Sequence, residues 1–329
     1  MAAFLHGNDL HYLDHIAPLS GLLFVKLFVT EEHIVHLIEK FYPNIQVELL
    51  SNNAFPEYLL HNYDVLFTCL PKQLLDQLFF FDEYKLRKKL LFCWLPHGNS
   101  DKNNLGALIE EKIALVYGKQ MIDTLNKENI TANHITIGNF RQYFYEKNKQ
   151  FYLNRCPIFK IQQKTIFYGP TWNDSNVKEH LLKIIECLPY NYNLYIKLHP
   201  NIAQGQLSLL LHAKIEGKTN IIFLDEIPTI YPILSNSDIY IGDSSSIAYD
   251  FLYFNKPLFF LTKTRSLIHH TGEIITIDNL FQKIEEKDER HEVRQDVYKY
   301  AFNQKVDYKN IYNIINQTIR NYIEKNIYL

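Results

Sequence analysis

Asp243-Ser-Ser-Ser246 stands where a β-prone run, Asp238 to Gly242, meets apolar residues at helical spacing, Ile247, Phe251, Leu252 and Phe254. Serine and aspartate are preferred helix N-caps, and one such residue fills one cap. Three serines exceed that need. Hydroxyl donors, free backbone N–H groups and the positive end of a helix together suit a phosphate. Asn255-Lys256-Pro257 stops the helix, because proline lacks a backbone donor and constrains the residue before it. Leu258 to Leu261 then reads as a buried strand.

Three further groups have the same placement. Tyr168-Gly-Pro-Thr171 follows a strand-like run, and Thr171 can donate to a phosphate or cap the next helix. Lys197-Leu-His199-Pro follows another, and a cation and an imidazole beside a proline-ordered turn suit an anionic ligand. In the first half, Trp94-Leu-Pro-His97-Gly sets an imidazole on a tight turn, with Lys102 five residues on. Histidine can act as a general base near neutral pH. Each group has a plainer alternative: a cap for Thr171, a solvated strand end for Lys197, a surface turn for His97. Their common property is position just after a strand, at the edge where open α/β sheets bind ligands. Asp-x-Asp pairs at strand ends are missing, so the diphosphate is expected to be met without a metal or other cofactor. Asn8 to Leu19 is a further polar segment, holding His11, Asp14 and His15. On a helix His11 and His15 would share a face. A zinc site needs more ligands than the pair supplies, so these three are assigned to the acceptor side of the site, near His97.

The elements that must carry these groups alternate between strand and helix. In the first half the strand-like runs are Ala2 to Leu5, Lys26 to Thr30, Val47 to Leu50, Val65 to Leu70, Leu90 to Leu95, Ala114 to Tyr117 and His134 to Ile137. Helical runs cover Glu31 to Phe41 and Gln120 to Asn126, and Phe140 to Tyr152 reads as one aromatic-rich helix. In the second half the strands are Lys164 to Tyr168, Asn193 to Leu198, Asn220 to Leu224, Asp238 to Gly242, Leu258 to Leu261 and Ile274 to Ile277. The clearest helix there is Val177 to Cys187. Such alternation predicts parallel sheets with helices on both faces, an α/β fold. The aperiodic stretch around Pro157 suggests a first domain over 1–155 and a second over 156–305. Over 306–329 the isoleucines 311, 314, 315, 319 and 323 predict a helix packed on the protein.

Composition narrows the function classes. The chain has 329 residues, 47% of them hydrophobic, and a net charge of -2. That length allows two domains with real cores. A basic block or stripe is missing, which argues against nucleic-acid binding. Neither a signal peptide nor an apolar run of bilayer length is evident, so a cytoplasmic protein with at most peripheral membrane association is expected. Four scattered cysteines without Cys-x-x-Cys spacing are expected to be reduced.

The series Tyr168-Gly-Pro-Thr-Trp, Lys197-Leu-His-Pro and Asp238-Ile-Tyr-Ile-Gly-Asp-Ser-Ser-Ser-Ile-Ala-Tyr-Asp-Phe resembles the CDP-glycerol glycerophosphotransferases of teichoic-acid synthesis, in order and in spacing. His97-Gly98…Lys102 is similar to their His-Gly-Thr-Pro-Leu-Lys element. It departs at Asn99-Ser100-Asp101, and Asn173 stands where the family often has arginine. The resemblance covers roughly Leu91 to Leu261. It implies a GT-B fold, two Rossmann-like domains facing across a cleft, and a CDP-linked donor held mainly by the second. By the same resemblance His97 is the candidate base and His199 stabilises the diphosphate. Lys102, Thr171, Lys197, Asp243, Ser244, Ser245 and Ser246 serve the donor phosphates. The expected reaction moves an alcohol-phosphate from the donor to a hydroxyl of a glycan or lipid-linked acceptor. The alternative is a GT-B glycosyltransferase using a nucleotide sugar.

Overall fold

The computed structural model describes residues 1–101, 111–171, 176–203, 206–302 and 305–326. Backbone contacts divide the chain into two units: Met1–Asn148 with Tyr300–Leu329, and Lys149–Lys299.

In the first unit seven short runs form strands: β1 (Ala2–Leu5), β2 (Leu27–Val29), β3 (Val47–Leu49), β4 (Val65–Thr68), β5 (Leu91–Trp94), β6 (Ile113–Val116) and β7 (Asn133–Thr136). They pair in the order β3-β2-β1-β4-β5-β6-β7, and every pairing is parallel. The central strands are continuous apolar runs, as expected when both faces are covered by helices. β1, β4 and β6 are buried at every position. Phe4, Phe28, Leu59, Leu66, Leu75 and Phe79 belong to one core cluster of this unit.

The second unit holds β8 (Lys164–Gly169), β9 (Tyr192–Ile196), β10 (Ile221–Phe223), β11 (Ile239–Gly242), β12 (Leu258–Phe260) and β13 (Glu273–Ile274). Their order is β10-β9-β8-β11-β12-β13, again parallel throughout. Counted within the unit this is 3-2-1-4-5-6, the order of a dinucleotide-binding Rossmann sheet. Ile166, Tyr168, Leu181, Ile184, Leu194, Ile196 and Ile241 lie in its core. The α/β expectation of two parallel sheets with helices holds.

Several elements differ from the sequence reading. The polar segment after β1 is part of a long buried helix, Leu10–Leu23, which ends at Phe24 in the left-handed region. The aromatic run after β7 is two helices, Phe140–Lys147 and Lys149–Tyr152. Asn148 separates them, its N–H on Phe144 and Tyr145 carbonyls and its side-chain amide on Phe144 O at 2.8 Å. Of the last expected strand, Ile274 to Ile277, only Ile274 lies in the observed strand, which it forms with Glu273 before it. Thr276 and Asn279 then cap each other around a 3₁₀ turn, Ile277–Asn279, which ends the extended run. The helix Lys72–Leu86 escapes periodicity because only Leu75 and Phe79 of it are buried while Phe80, Phe81 and Tyr84 are exposed. The helix Ile311–Asn326 buries Ile311, Ile315 and Ile319. Cys69, Cys93 and Cys156 are buried cysteines outside any disulfide, and Cys187 is an exposed one. Among the described residues no helix is long and apolar enough to cross a membrane.

Candidate active site

In a sheet of order 3-2-1-4, the connections after strands one and four diverge to opposite faces and leave a crevice between them. In the second unit those strands are β8 and β11, with Gly169 directly opposite Gly242. The strand ends approach closely. A Cβ on Gly242 would lie 2.3 Å from the Tyr240 hydroxyl and 2.8 Å from the Gly169 carbonyl, and Tyr240 Oη donates to that carbonyl at 2.9 Å. Only glycine fits there.

The two turns beyond these glycines are tied to each other. Thr171 donates its backbone N–H to both Asp243 carboxylate oxygens at 3.0 Å and its hydroxyl to Oδ2 at 2.6 Å. Both residues are buried. The hydroxyl hydrogen of Thr171 is therefore used within the protein, and the carboxylate of Asp243 faces Thr171. The sequence reading assigns both residues to the donor phosphates; in the structure they brace the two turns against each other.

The serines divide by role. Ser245 is buried and caps the following helix, its Oγ accepting from Ile247 N at 3.3 Å. Ser244 and Ser246 are partly exposed. The helix they precede, Ser246–Phe251, is short and runs into a 3₁₀ turn, Leu252–Phe254, before Asn255 turns left-handed with φ 51°. Its stop at Asn255-Lys256-Pro257 is as read from the sequence. So short a helix has a small dipole, which leaves hydroxyls and backbone N–H groups as the main donors of the turn.

On the neighbouring edge Lys197 reaches across its own sheet, its Nζ donating to the carbonyls of Ile227 at 2.5 Å and Leu224 at 3.3 Å. Part of its charge is thus spent on ordering the loop after β10. His199 Nδ1 accepts from Asn201 N at 3.2 Å. That bond fixes the neutral tautomer with the hydrogen on Nε2, a donor suited to an anion. His269 was not singled out by the sequence. It is buried, and its Nε2 lies 3.4 Å from Ser244 Oγ.

In the first unit, His97 follows β5 and packs edge-on against Tyr12 and His11, with ring centroids 4.9 and 5.4 Å apart. Its surface is exposed, yet protein crowds the ring, and burial lowers its pKa below the usual histidine value. Tyr12 is pushed up to about 12 by burial, with Asp9 and Cys69 adding to the shift. The His97 turn is pinned from below. Asn99, buried, donates to Gln120 Oε1 at 3.1 Å and to Ala301 O at 3.2 Å, and Gln120 Nε2 donates to Asp101 at 3.0 Å. Lys102 lies outside the described residues.

Of the three acceptor-side residues, His11 packs its ring against His97. His15 does fall on the same helix, but it is buried, and its Nδ1 is 2.8 Å from Tyr117 Oη, which also meets Pro96 O at 3.1 Å. Burial, then the charge of Arg141, drives its pKa well below the ordinary range. Asp14 accepts from Arg141 at 2.6 Å and from Tyr42 at 2.9 Å in a buried network. Asp14 and His15 therefore tie the helix to Arg141, Tyr42 and Tyr117.

Residues 142–275 match the model of the CDP-glycerol:poly(glycerophosphate) glycerophosphotransferase family. The match spans less than half of the chain. It contains Thr171, Lys197, His199, the Asp243–Ser246 turn and His269, so the family match and the crevice of the second unit coincide. The chain is also similar to the teichoic acid glycerol-phosphate primase of Bacillus subtilis, 24% identical over 280 residues, covering 74% of this chain and 68% of the primase. Among solved structures, the wall teichoic acid polymerase TagF aligns with TM-score 0.67 at 14% identity, over 99% of this chain and 89% of TagF. The Staphylococcus aureus MnaA–UDP structure aligns with TM-score 0.62 at 14% identity, over 97% of both chains. These likenesses show the fold, which is GT-B-like: two units, each with a parallel Rossmann-type sheet.

Proposed function

We propose that this glycerophosphotransferase relative transfers glycerol phosphate from CDP-glycerol to a hydroxyl of a glycan or lipid-linked poly(glycerophosphate)-type acceptor, as in teichoic-acid synthesis. The observation that carries this reading is the coincidence of the family's matched stretch with the β8–β11 crevice. Ser244, Ser246 and the Nε2–H of His199 act as donors to the diphosphate, and Lys197 adds positive charge. Thr171, Asp243 and Ser245 hold the turns that present these groups. His97 takes the acceptor proton. The acceptor oxygen forms a bond to the β-phosphorus, the bond from that phosphorus to the bridging oxygen breaks, and CMP leaves. Rate enhancement comes from positioning and from stabilised charge on the phosphate oxygens. The work is placed on the cytoplasmic side of the membrane, with at most peripheral contact.

The test is release of CMP from CDP-glycerol by the purified protein, with and without a glycerol-phosphate-primed acceptor, beside UDP-N-acetylglucosamine. Acceptor-dependent CMP release is expected. Turnover of the UDP-sugar alone would move the protein to the nucleotide-sugar glycosyltransferases.

A further inference from the structure

We infer that His269 is a positioning residue that sets the direction in which Ser244 donates its hydrogen bond. This rests on the reading that Ser244 meets the donor diphosphate.

His269 lies in the 3₁₀ turn Leu267–Thr271, between β12 and β13. Its Nδ1 is 2.9 Å from the backbone nitrogen of Ser266 and 3.1 Å from Ser266 Oγ. A backbone N–H can only donate, so Nδ1 accepts, and the neutral ring carries its hydrogen on Nε2. The ring stands edge-on to Phe260 with centroids 4.8 Å apart, and the residue is 5% exposed. Nε2 is thereby aimed at Ser244 Oγ, 3.4 Å away.

A serine beside a histidine could be a nucleophile and its base. The tautomer argues against that: Nε2 already holds a hydrogen and cannot take the serine proton. The geometry favours the opposite direction, with Nε2–H donating to a lone pair of Ser244 Oγ. The hydroxyl hydrogen of Ser244 is then turned away from the ring, towards an acceptor such as a phosphate oxygen. Ser245 needs no such partner, since Ile247 N fixes its oxygen.

Two substitutions separate this role from simple capping of the turn. His269→Asn keeps an acceptor near Nδ1 for Ser266 N but cannot reach Ser244. His269→Gln loses that acceptor but places an amide donor near the Nε2 position. Affinity for CDP-glycerol is measured by calorimetry, with thermal unfolding as a control. His269→Asn should weaken binding about three- to ten-fold, the worth of one hydrogen bond, with little loss of stability. His269→Gln should bind nearly as well as the parent while melting lower. In a Ser244→Ala background, His269→Asn should cost almost nothing more. The reverse order of Asn and Gln, or a His269→Asn loss that persists beside Ser244→Ala, would sink the inference and leave the donor site standing. If Ser244→Ala itself binds CDP-glycerol like the parent, the donor reading of Ser244 fails and His269 falls with it.

Discussion

Thr171 and Asp243, 72 positions apart in sequence, share three hydrogen bonds at the ends of adjacent strands. An anion-binding turn is useful only if its shape is held while water and ligand exchange. Here a carboxylate that would repel a phosphate faces the Thr171 turn, and one threonine meets its two oxygens with two donors, the N–H shared between both.

Thr171 therefore has a different expected phenotype from a phosphate ligand. Thr171→Ser keeps every donor and should leave activity near that of the parent. Thr171→Val removes the 2.6 Å bond to a buried carboxylate, which should cost about 1.5–3 kcal/mol. Urea unfolding of both variants measures this, and equal stability of the two would dissociate the pair from bracing.

His97→Ala should cut CMP transfer by roughly 10²–10⁴-fold, the usual contribution of a general base, while calorimetry finds CDP-glycerol affinity little changed. Burial lowers the pKa of His97, so the neutral, proton-accepting form persists to lower pH than in a free histidine. The acidic limb of the rate profile should lie below pH 6.5, the unperturbed value in water. A limb above that value would point to another base.

Asn99→Ala tests how the His97 turn is held. Its amide joins Gln120 to Ala301, and both acceptors would lose a buried donor. A loss of about 1–3 kcal/mol in stability is expected, together with a lower kcat and an unchanged Kd for CDP-glycerol. If kcat stays at the parent value, the turn is positioned by something else.

His15 makes folding sensitive to acid. Its pKa is well below 6.5 in the fold, and near 6.5 once unfolded, so the unfolded chain binds the extra proton first. Stability should fall as pH drops below 6.5, by up to about 1.4 kcal/mol per pH unit from this residue, and level off below the folded pKa. Denaturant unfolding at pH 7.5, 6.5 and 5.5 gives the slope. His15→Gln should flatten it, and an unchanged slope would assign the effect to other groups.

The strand-end groups were legible in the sequence because apolar runs and turn residues mark strand ends, and parallel sheets bind ligands there. Asp243-Ser-Ser-Ser could be placed at a strand–helix turn for that reason. Which of its side chains faces inward could not be read, since the Thr171 bond spans 72 residues and leaves no local pattern. His269 escaped for a similar cause: Ser266 and His269 are spaced as a cap, and nothing in that spacing names Ser244 as a neighbour. Asp14 and His15 were grouped with His11 by proximity in sequence. Helical geometry turned them towards Arg141 and Tyr117, into the core.

The first unit is built from both ends of the described chain, with the second unit as an excursion between residues 148 and 300. Asn99 must wait for a carbonyl 202 residues downstream. On a ribosome delivering about 5–20 residues per second, the helical connection through Tyr300 and Ala301 emerges at least ten seconds after the His97 turn. Lys149–Lys299, by contrast, is continuous and can close on its own residues. The parts proposed to hold the diphosphate are thus available before the proposed base is locked, and a nascent chain arrested before Ala301 is expected to bind a donor but not to use it.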